Sequence, residues 1–287
     1  MTSPFFIPIP ADRYNFEQLA DIYNESRVDY IVPMPMNAKR MADYVHQYAV
    51  DLSGSVVAIN KEQQIAGLSM LGIRGERSWI TRLGVIPTRR GRGIGQFLMS
   101  KLLENAVDRG CTLAQLEVIE GNEPAQTLFT KLGFYETRRL LVIRRPPGMP
   151  PDFTFPVSVE PLNKLEIDAY LNERSDHPSW LDETASLLVG GATAIEGVRV
   201  TSETGECGWG VFRPTAFQIS HVTMGSHERG AALSTALAAA ILTAIHQKHP
   251  RRDTKVENVP ENSPLVRAFE QVGYMIEFAR IEMVKTL

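Results

Sequence analysis

Arg90–Gly95, RGRGIG, decides the reading of this chain. It follows a strand-like run, Trp79–Ile86. It leads into a helix-like run, where Leu98, Leu102 and Ala106, with Met99, Leu103 and Val107, form a broad apolar face. Glycines let a backbone turn tightly and approach a ligand closely. The first N–H groups of the following helix have no partner inside it and lie at the positive end of its dipole. Together they make an anion cradle suited to a pyrophosphate, and Arg89, Arg90 and Arg92 add charge suited to phosphates. The spacing G-x-G-x-G is neither the dinucleotide fingerprint G-x-G-x-x-G nor a P-loop, which needs Gly-Lys-Ser/Thr. Taken alone, it is equally compatible with a tight turn that holds no ligand.

Around this stretch the pattern is helices first, then strands. Asn15–Tyr23 reads as a helix, with Phe16, Leu19, Ala20 and Tyr23 at helical spacing and Asn15/Gln18 as a capping pair. Asn37–Tyr48 reads as a second helix. Ser55–Ile59, Ile65–Ile73 and Trp79–Ile86 read as strands, with polar turns at Asn60–Gln63 and Arg74–Arg77. Gly110 stops the helix after the glycine loop. Then come a strand, Leu113–Ile119, a helix, Pro124–Leu132, closed by Gly133, and a strand, Tyr135–Ile143.

A proline-rich seam, RRPPGMPPDFTFP at Arg144–Pro156, carries five of the chain's 18 prolines. Proline removes a donor and fixes φ, so this stretch is expected outside any central strand. It divides the 287 residues into a domain at 1–146, a linker at 147–156 and a domain at 157–287. The halves look alike. VIPTRRGRGIG (Val85–Gly95) aligns with VTMGSHERGAA (Val222–Ala232) without a gap, and Glu117–Phe134 aligns with Glu257–Tyr274 in the same way. Two collinear blocks indicate one fold written twice. In the second copy, Val198, Gly208–Phe212 and Ala216–Thr223 read as strands. Leu233–Ile245 reads as a helix, Val256 marks a short strand, and Pro264–Val272 is a helix.

Composition narrows the function class. The net charge is −3, with 44% hydrophobic and 22% charged residues, which is an ordinary globular balance and unlike a non-specific nucleic-acid binder. No apolar run approaches the roughly 20 residues that span a bilayer, and MTSPFFIPIPADRY lacks the basic start of a signal peptide. Two cysteines, Cys111 and Cys207, make neither a disulfide scaffold nor a zinc site. The six histidines show no metal-ligand spacing. The expectation is a cytoplasmic protein without a metal, a membrane or a nucleic acid as partner, working as a monomer or homodimer.

With its neighbours, the glycine loop resembles the GCN5-related N-acetyltransferase (GNAT) superfamily. The resemblance rests on Val85-x-Pro87, Arg90-x-x-Gly93-x-Gly95, Glu117-Val118, Asn122-x-x-Ala125 and Leu132-Gly133-Phe134, in that order. It covers most of 10–143 and, more weakly, 157–287 as a tandem copy. It implies an α/β (α+β) fold of two GNAT-like domains, each a mixed, mostly antiparallel sheet flanked by helices. It further implies acetyl-CoA as acyl donor. Leu83, Gly84 and Val85 would pair with the pantetheine arm, Arg90, Gly91, Arg92, Gly93, Ile94, Gly95 and Gln96 would hold the pyrophosphate, and Asn122, Ala125 and Phe129 would meet the thiol end. The implied reaction is direct attack of an amine on the thioester in a ternary complex, with the Val85 N–H stabilising the oxyanion.

Glu117 stands at the strand position that some members use for a base; local hydrogen bonding is its other reading. A base matters for a lysine-like amine, which is only about 0.04% neutral at pH 7, and much less for an α-amino group. Phe129 replaces the tyrosine by which many members protonate the leaving thiolate, and phenylalanine donates no proton. In the second copy His227 stands for Arg90 and Glu228 for Gly91, so one working site is expected, in the first half. Tyr30, Met34 and Met36 either line an acceptor pocket or form a loop packed on the core. Trp79, Trp180, Trp209 and the Cys111 thiol read as buried. Two functions remain open: an N-acetyltransferase acting on a small-molecule or peptide amine, and a CoA-binding sensor or interaction module with little transfer activity.

Overall fold

The computed structural model describes residues 6–151, 155–189 and 195–287. Its elements are β1 (Phe6–Pro10), α1 (Phe16–Ser26), α2 (Ala38–Gln47), β2 (Val50–Asn60), β3 (Ile65–Arg74), β4 (Arg77–Val85), α3 (Ile94–Asp108), β5 (Leu113–Ile119), α4 (Glu123–Lys131) and β6 (Tyr135–Arg145). There follow β7 (Val157–Pro161), α5 (Lys164–Glu173), α6 (Thr184–Leu188), β8 (Glu196–Ser202), β9 (Cys207–Pro214), β10 (Gln218–Ser226), α7 (Thr235–Lys248), β11 (Asp253–Pro260), α8 (Val266–Gln271) and β12 (Met275–Thr286). The expected helices and strands are present, and Asn15/Gln18 forms a reciprocal capping box on α1. β1, β7, α5, α6 and β12 extend the pattern. β1 pairs antiparallel with β2 at the sheet edge, where its two prolines remove no ladder bond that the fold needs.

The chain forms two compact units, one of residues 1–137 with 281–287, the other of 138–280. The compact units and the expected segments 1–146 and 157–287 divide the chain at different residues. The first copy's own last strand, β6, gives its residues 138–145 to the second unit. There β6 pairs antiparallel with β11, and Leu141 and Ile143 join the core. The end of β12 takes the reciprocal place. Ile281 and Met283 are buried in the first unit's core, and the Leu287 N–H donates to the Thr112 carbonyl. Both strands carry buried apolar positions among charged ones, Leu141 and Ile143 in β6 and Ile281 and Met283 in β12, and both follow a Gly-aromatic helix stop. Of the proline seam, residues 152–154 lie outside those described.

In the first unit the sheet runs β1-β2-β3-β4-β5-β12, with β1·β2, β2·β3 and β3·β4 antiparallel and β4·β5 parallel. Side chains alternate across it: Val56 and Ala58 join the cluster of α3, built on Leu98, Leu102 and Ala106, while Val57 between them is buried outside that cluster. α1 and α2 also pack on the sheet, burying Leu19, Ile22, Tyr23 and Met41. The second unit runs β7-β8-β9-β10-β11-β6, again antiparallel except for β10·β11. The alanine-rich α7 buries Ala238, Ala239, Ala240, Ile241 and Leu242 in its core.

Candidate active site

β4 and β5 pair only over Arg77–Trp79 and Leu113–Gln115. Beyond these three positions the strands run on to Val85 and Ile119 without a shared register. A parallel pair that parts in this way leaves the backbone groups of both lips available to a third, extended partner. A bulge in β4 adds to the divergence. Its register against β3 shifts between Leu68 and Met70, and Arg82 takes φ 55°. Gly84, two residues on, is required by packing, because a Cβ there would overlap the Ser26 side chain at the end of α1.

The glycine loop closes one end of this splay. Gly91 and Gly93 have φ of 77° and 80°, and a Cβ on either would meet nothing within 4 Å. Gly93 is the N-cap of α3 and offers no side-chain acceptor. The N–H groups of Ile94, Gly95 and Gln96 therefore have no acceptor inside the helix and none from a cap. This is an open cradle, and its chemistry suits an anion. Arg92 is exposed beside it. Arg90 does not point its charge into the cradle as expected. Its guanidinium holds Asp29 through two bonds of 2.6 and 2.7 Å and donates to the Val85 and Ser26 carbonyls, both at 3.2 Å. The pair holds the Asp29 carboxyl below its usual pKa. Arg90 thus ties the end of α1 to the end of β4. Arg89 donates to Gln64 at 2.8 Å.

The other lip carries Glu117. Trp79 Nε1 donates to its Oε2 at 2.7 Å. Trp79 is 2% exposed and touches Tyr44 and Tyr48, with ring centroids at 6.1 and 5.9 Å. The Tyr44 hydroxyl lies 2.5 Å from Thr81 Oγ1, and burial pushes its pKa up to about 12, so it stays protonated at neutral pH. Arg82 stacks over the Tyr44 ring at 4.1 Å, donates to the Tyr23 hydroxyl at 2.9 Å and reaches Met34 Sδ at 4.0 Å. Arg82, Tyr23 and Tyr44 belong to no motif in the sequence. The bulge and two helices bring them together.

Asn122 caps α4, accepting from the Ala125 N–H at 3.4 Å, and donates to the Tyr30 hydroxyl at 3.3 Å. Asn24 clamps the Met36 backbone with bonds of 2.8 and 2.9 Å, so the loop holding Tyr30, Met34 and Met36 is fastened to α1. Phe129 is 5% exposed, packed against Phe134 in the core. This agrees with a packing role for Phe129. Trp180 and Trp209 are buried, as is Cys111, whose thiol pKa burial raises.

The gap-free pairing of the two glycine loops does not hold. In β10 the bulge falls at His221, with φ 52°, and the register shifts between Ser220 and Thr223. His221 therefore matches Arg82, 139 residues earlier, whereas the N-caps Ser234 and Gly93 are 141 apart. The second loop is two residues longer, and His227 and Glu228 do not stand for Arg90 and Gly91. Gly230, with φ 79°, matches Gly91 counted from the bulge. In this copy Ser234 caps α7, its Oγ accepting from the Leu237 N–H at 3.3 Å.

Residues 16–134 match the model of the acetyltransferase (GNAT) family. The whole chain has the fold of solved GNAT proteins. A GCN5-related N-acetyltransferase from Sphaerobacter thermophilus superposes with a TM-score of 0.68 at 17% identity, over 98% of this chain and 95% of the other. A tandem GNAT protein from the clavulanic acid biosynthesis pathway gives 0.65 at 16%, over 98% of each chain. A GCN5-related N-acetyltransferase from Anabaena variabilis gives 0.59 at 13%, over 98% and 72%.

Proposed function

We propose that the first unit transfers an acetyl group from acetyl-CoA to the amine of a small molecule or peptide N-terminus. The observation that carries this reading is the uncapped N-terminus of α3 at the end of the splayed strands β4 and β5. Acetyl-CoA supplies the activated thioester. The backbone N–H groups of Gly91–Gln96 hold its pyrophosphate, and Leu83, Gly84 and Val85 pair with its pantetheine arm. Asn122 and Ala125 flank the thioester. The Val85 N–H faces the oxygen that gains charge. Glu117 takes the proton from the attacking amine, and the Trp79 N–H fixes one of its oxygens. No tyrosine stands at position 129, so the thiolate takes its proton from water or leaves unprotonated.

The buried Phe129 favours one rival, a CoA-binding module with little transfer. Release of free thiol from acetyl-CoA across an amine library separates the two. Transfer predicts amine-dependent thiol release; tight acetyl-CoA binding with no amine giving turnover removes the enzyme reading.

A further inference from the structure

Beside the glycine loop lies a cavity of about 350 Å³, lined by Phe6 of β1, Lys61 and Glu62 of the β2–β3 turn, Arg89, Arg92 and Ile94. Ligand pockets usually hold about 300–1,000 Å³. β3 and then β2 stand on the side of β4 opposite to β5. The splay and this cavity therefore lie to either side of the cradle, and Arg92 and Ile94 border both cradle and cavity. A ligand that follows the splay and turns at the cradle brings its next group here.

The charge of the cavity is opposite to that of the chain. The protein as a whole carries −3, yet three cations and one carboxylate line this space. Arg89 is oriented in advance. One of its nitrogens donates to Gln64 Oε1 at 2.8 Å, and the same oxygen accepts from Asn60 at 3.0 Å. Asn60 Oδ1 in turn accepts from the Gln64 N–H at 2.8 Å, so the turn that holds Arg89 is itself fastened. Among the described residues, neither Arg89 nor Arg92 is held in an ion pair, unlike Arg90, which Asp29 neutralises. Two such guanidinium groups at one cavity suit a phosphate monoester, through charge-assisted bonds. Phe6 adds an aromatic wall. It is half-buried, with its ring packed on Phe97 at 5.9 Å between centroids, and a base stacks on a surface of this kind.

We infer that the cavity takes the adenosine 3′-phosphate end of the acyl donor, with Arg89 and Arg92 on the phosphate and Phe6 against the base. This rests on acetyl-CoA as the donor, proposed above, and adds what selects it: CoA over a thioester that lacks the phosphorylated nucleotide, such as an acylated pantetheine.

Calorimetry on the full chain, comparing acetyl-CoA with acetyl-dephospho-CoA, tests this, because the second donor lacks only the 3′-phosphate. The wild type should bind acetyl-CoA roughly 10- to 100-fold more tightly, the worth of a charge-assisted contact. The ratio of the two dissociation constants is the readout, so a loss common to both donors cancels. Arg89→Gln and Arg92→Gln should each lower that ratio, the double variant should bring it near one, and Arg89→Lys should keep part of it. A ratio near one in the wild type overturns the assignment, as does a ratio that the double variant leaves unchanged. Adenosine 3′,5′-bisphosphate should compete with acetyl-CoA; if it binds alongside acetyl-CoA, the cavity serves a free nucleotide and the assignment falls. If neither donor binds, the donor reading itself falls, and the assignment with it.

Discussion

The loop before α3 leaves the bulged strand β4 and the loop before α7 leaves the bulged strand β10, yet the two helices are capped differently. In the first, Gly93 caps without a side chain, and three N–H groups have no acceptor within the helix or from the cap. In the second, two extra residues bring Ser234 to the N-cap, and its hydroxyl takes a donor that a phosphate would need. A helix N-terminus with a side-chain cap has one donor fewer to offer a ligand than one capped by glycine. The cavity beside the second loop, about 250 Å³, is walled by Tyr170 stacked on Trp209, with the Tyr170 hydroxyl 2.7 Å from His227 Nδ1. Duplication kept the frame and changed the chemistry.

Four experiments break or sharpen this comparison. The largest effects should come from the exchanged strands. Met283→Ala should destabilise the first unit by about 2–5 kcal/mol and Leu141→Ala the second by a similar amount, because each empties a core to which its own half of the sequence does not belong. Unfolding followed by probes placed in each unit reads this, and the opposite assignment would refute the exchange. Gly93→Glu should weaken acetyl-CoA binding by about 100-fold in calorimetry, through a strained φ and a carboxylate in the cradle. Gly230→Glu should leave it unchanged; a loss there would move the donor to the second copy.

A pH difference is smaller. Twelve residues past its N-cap, α7 buries His246 completely, where α3 has Asn105. Burial, with Arg145 and His249 nearby, lowers the His246 pKa to about 3, and Tyr274 Oη lies 2.9 Å from its Nε2. The folded form then refuses a proton that the unfolded chain takes near pH 6.5. Stability of the second unit should therefore fall as pH drops from about 6.5 toward 3, by at most about 1.4 kcal/mol per pH unit. In denaturant melts at pH 7 and pH 5, His246→Gln should flatten that slope, and an unchanged slope would assign it elsewhere. Last, Ser234→Ala should cost about 1 kcal/mol of stability, as lost caps do, without creating a second acetyl-CoA site; a new site would show that the cap alone had closed it.

Local signals were read well because their causes are local. Asn15/Gln18, Gly110 and Gly133 mark helix ends through bonds and φ values that span a few residues. The glycine loop is legible for the same reason. Arg82 was not, since its position depends on a bulge defined only by pairing with β3. Arg90 was misjudged because its partner, Asp29, is 61 residues away.

The sequence by itself determined the order of helices and strands, the presence of two copies and the cradle in the first, because propensity, capping and glycine conformation act over short stretches. Tertiary structure alone decided which core receives β6 and which receives β12, and that the second loop is two residues longer. Each strand carries a few buried apolar side chains, Leu141 and Ile143 in β6 and Ile281 and Met283 in β12, and the local pattern does not specify which core they enter. Only the closed cores show which.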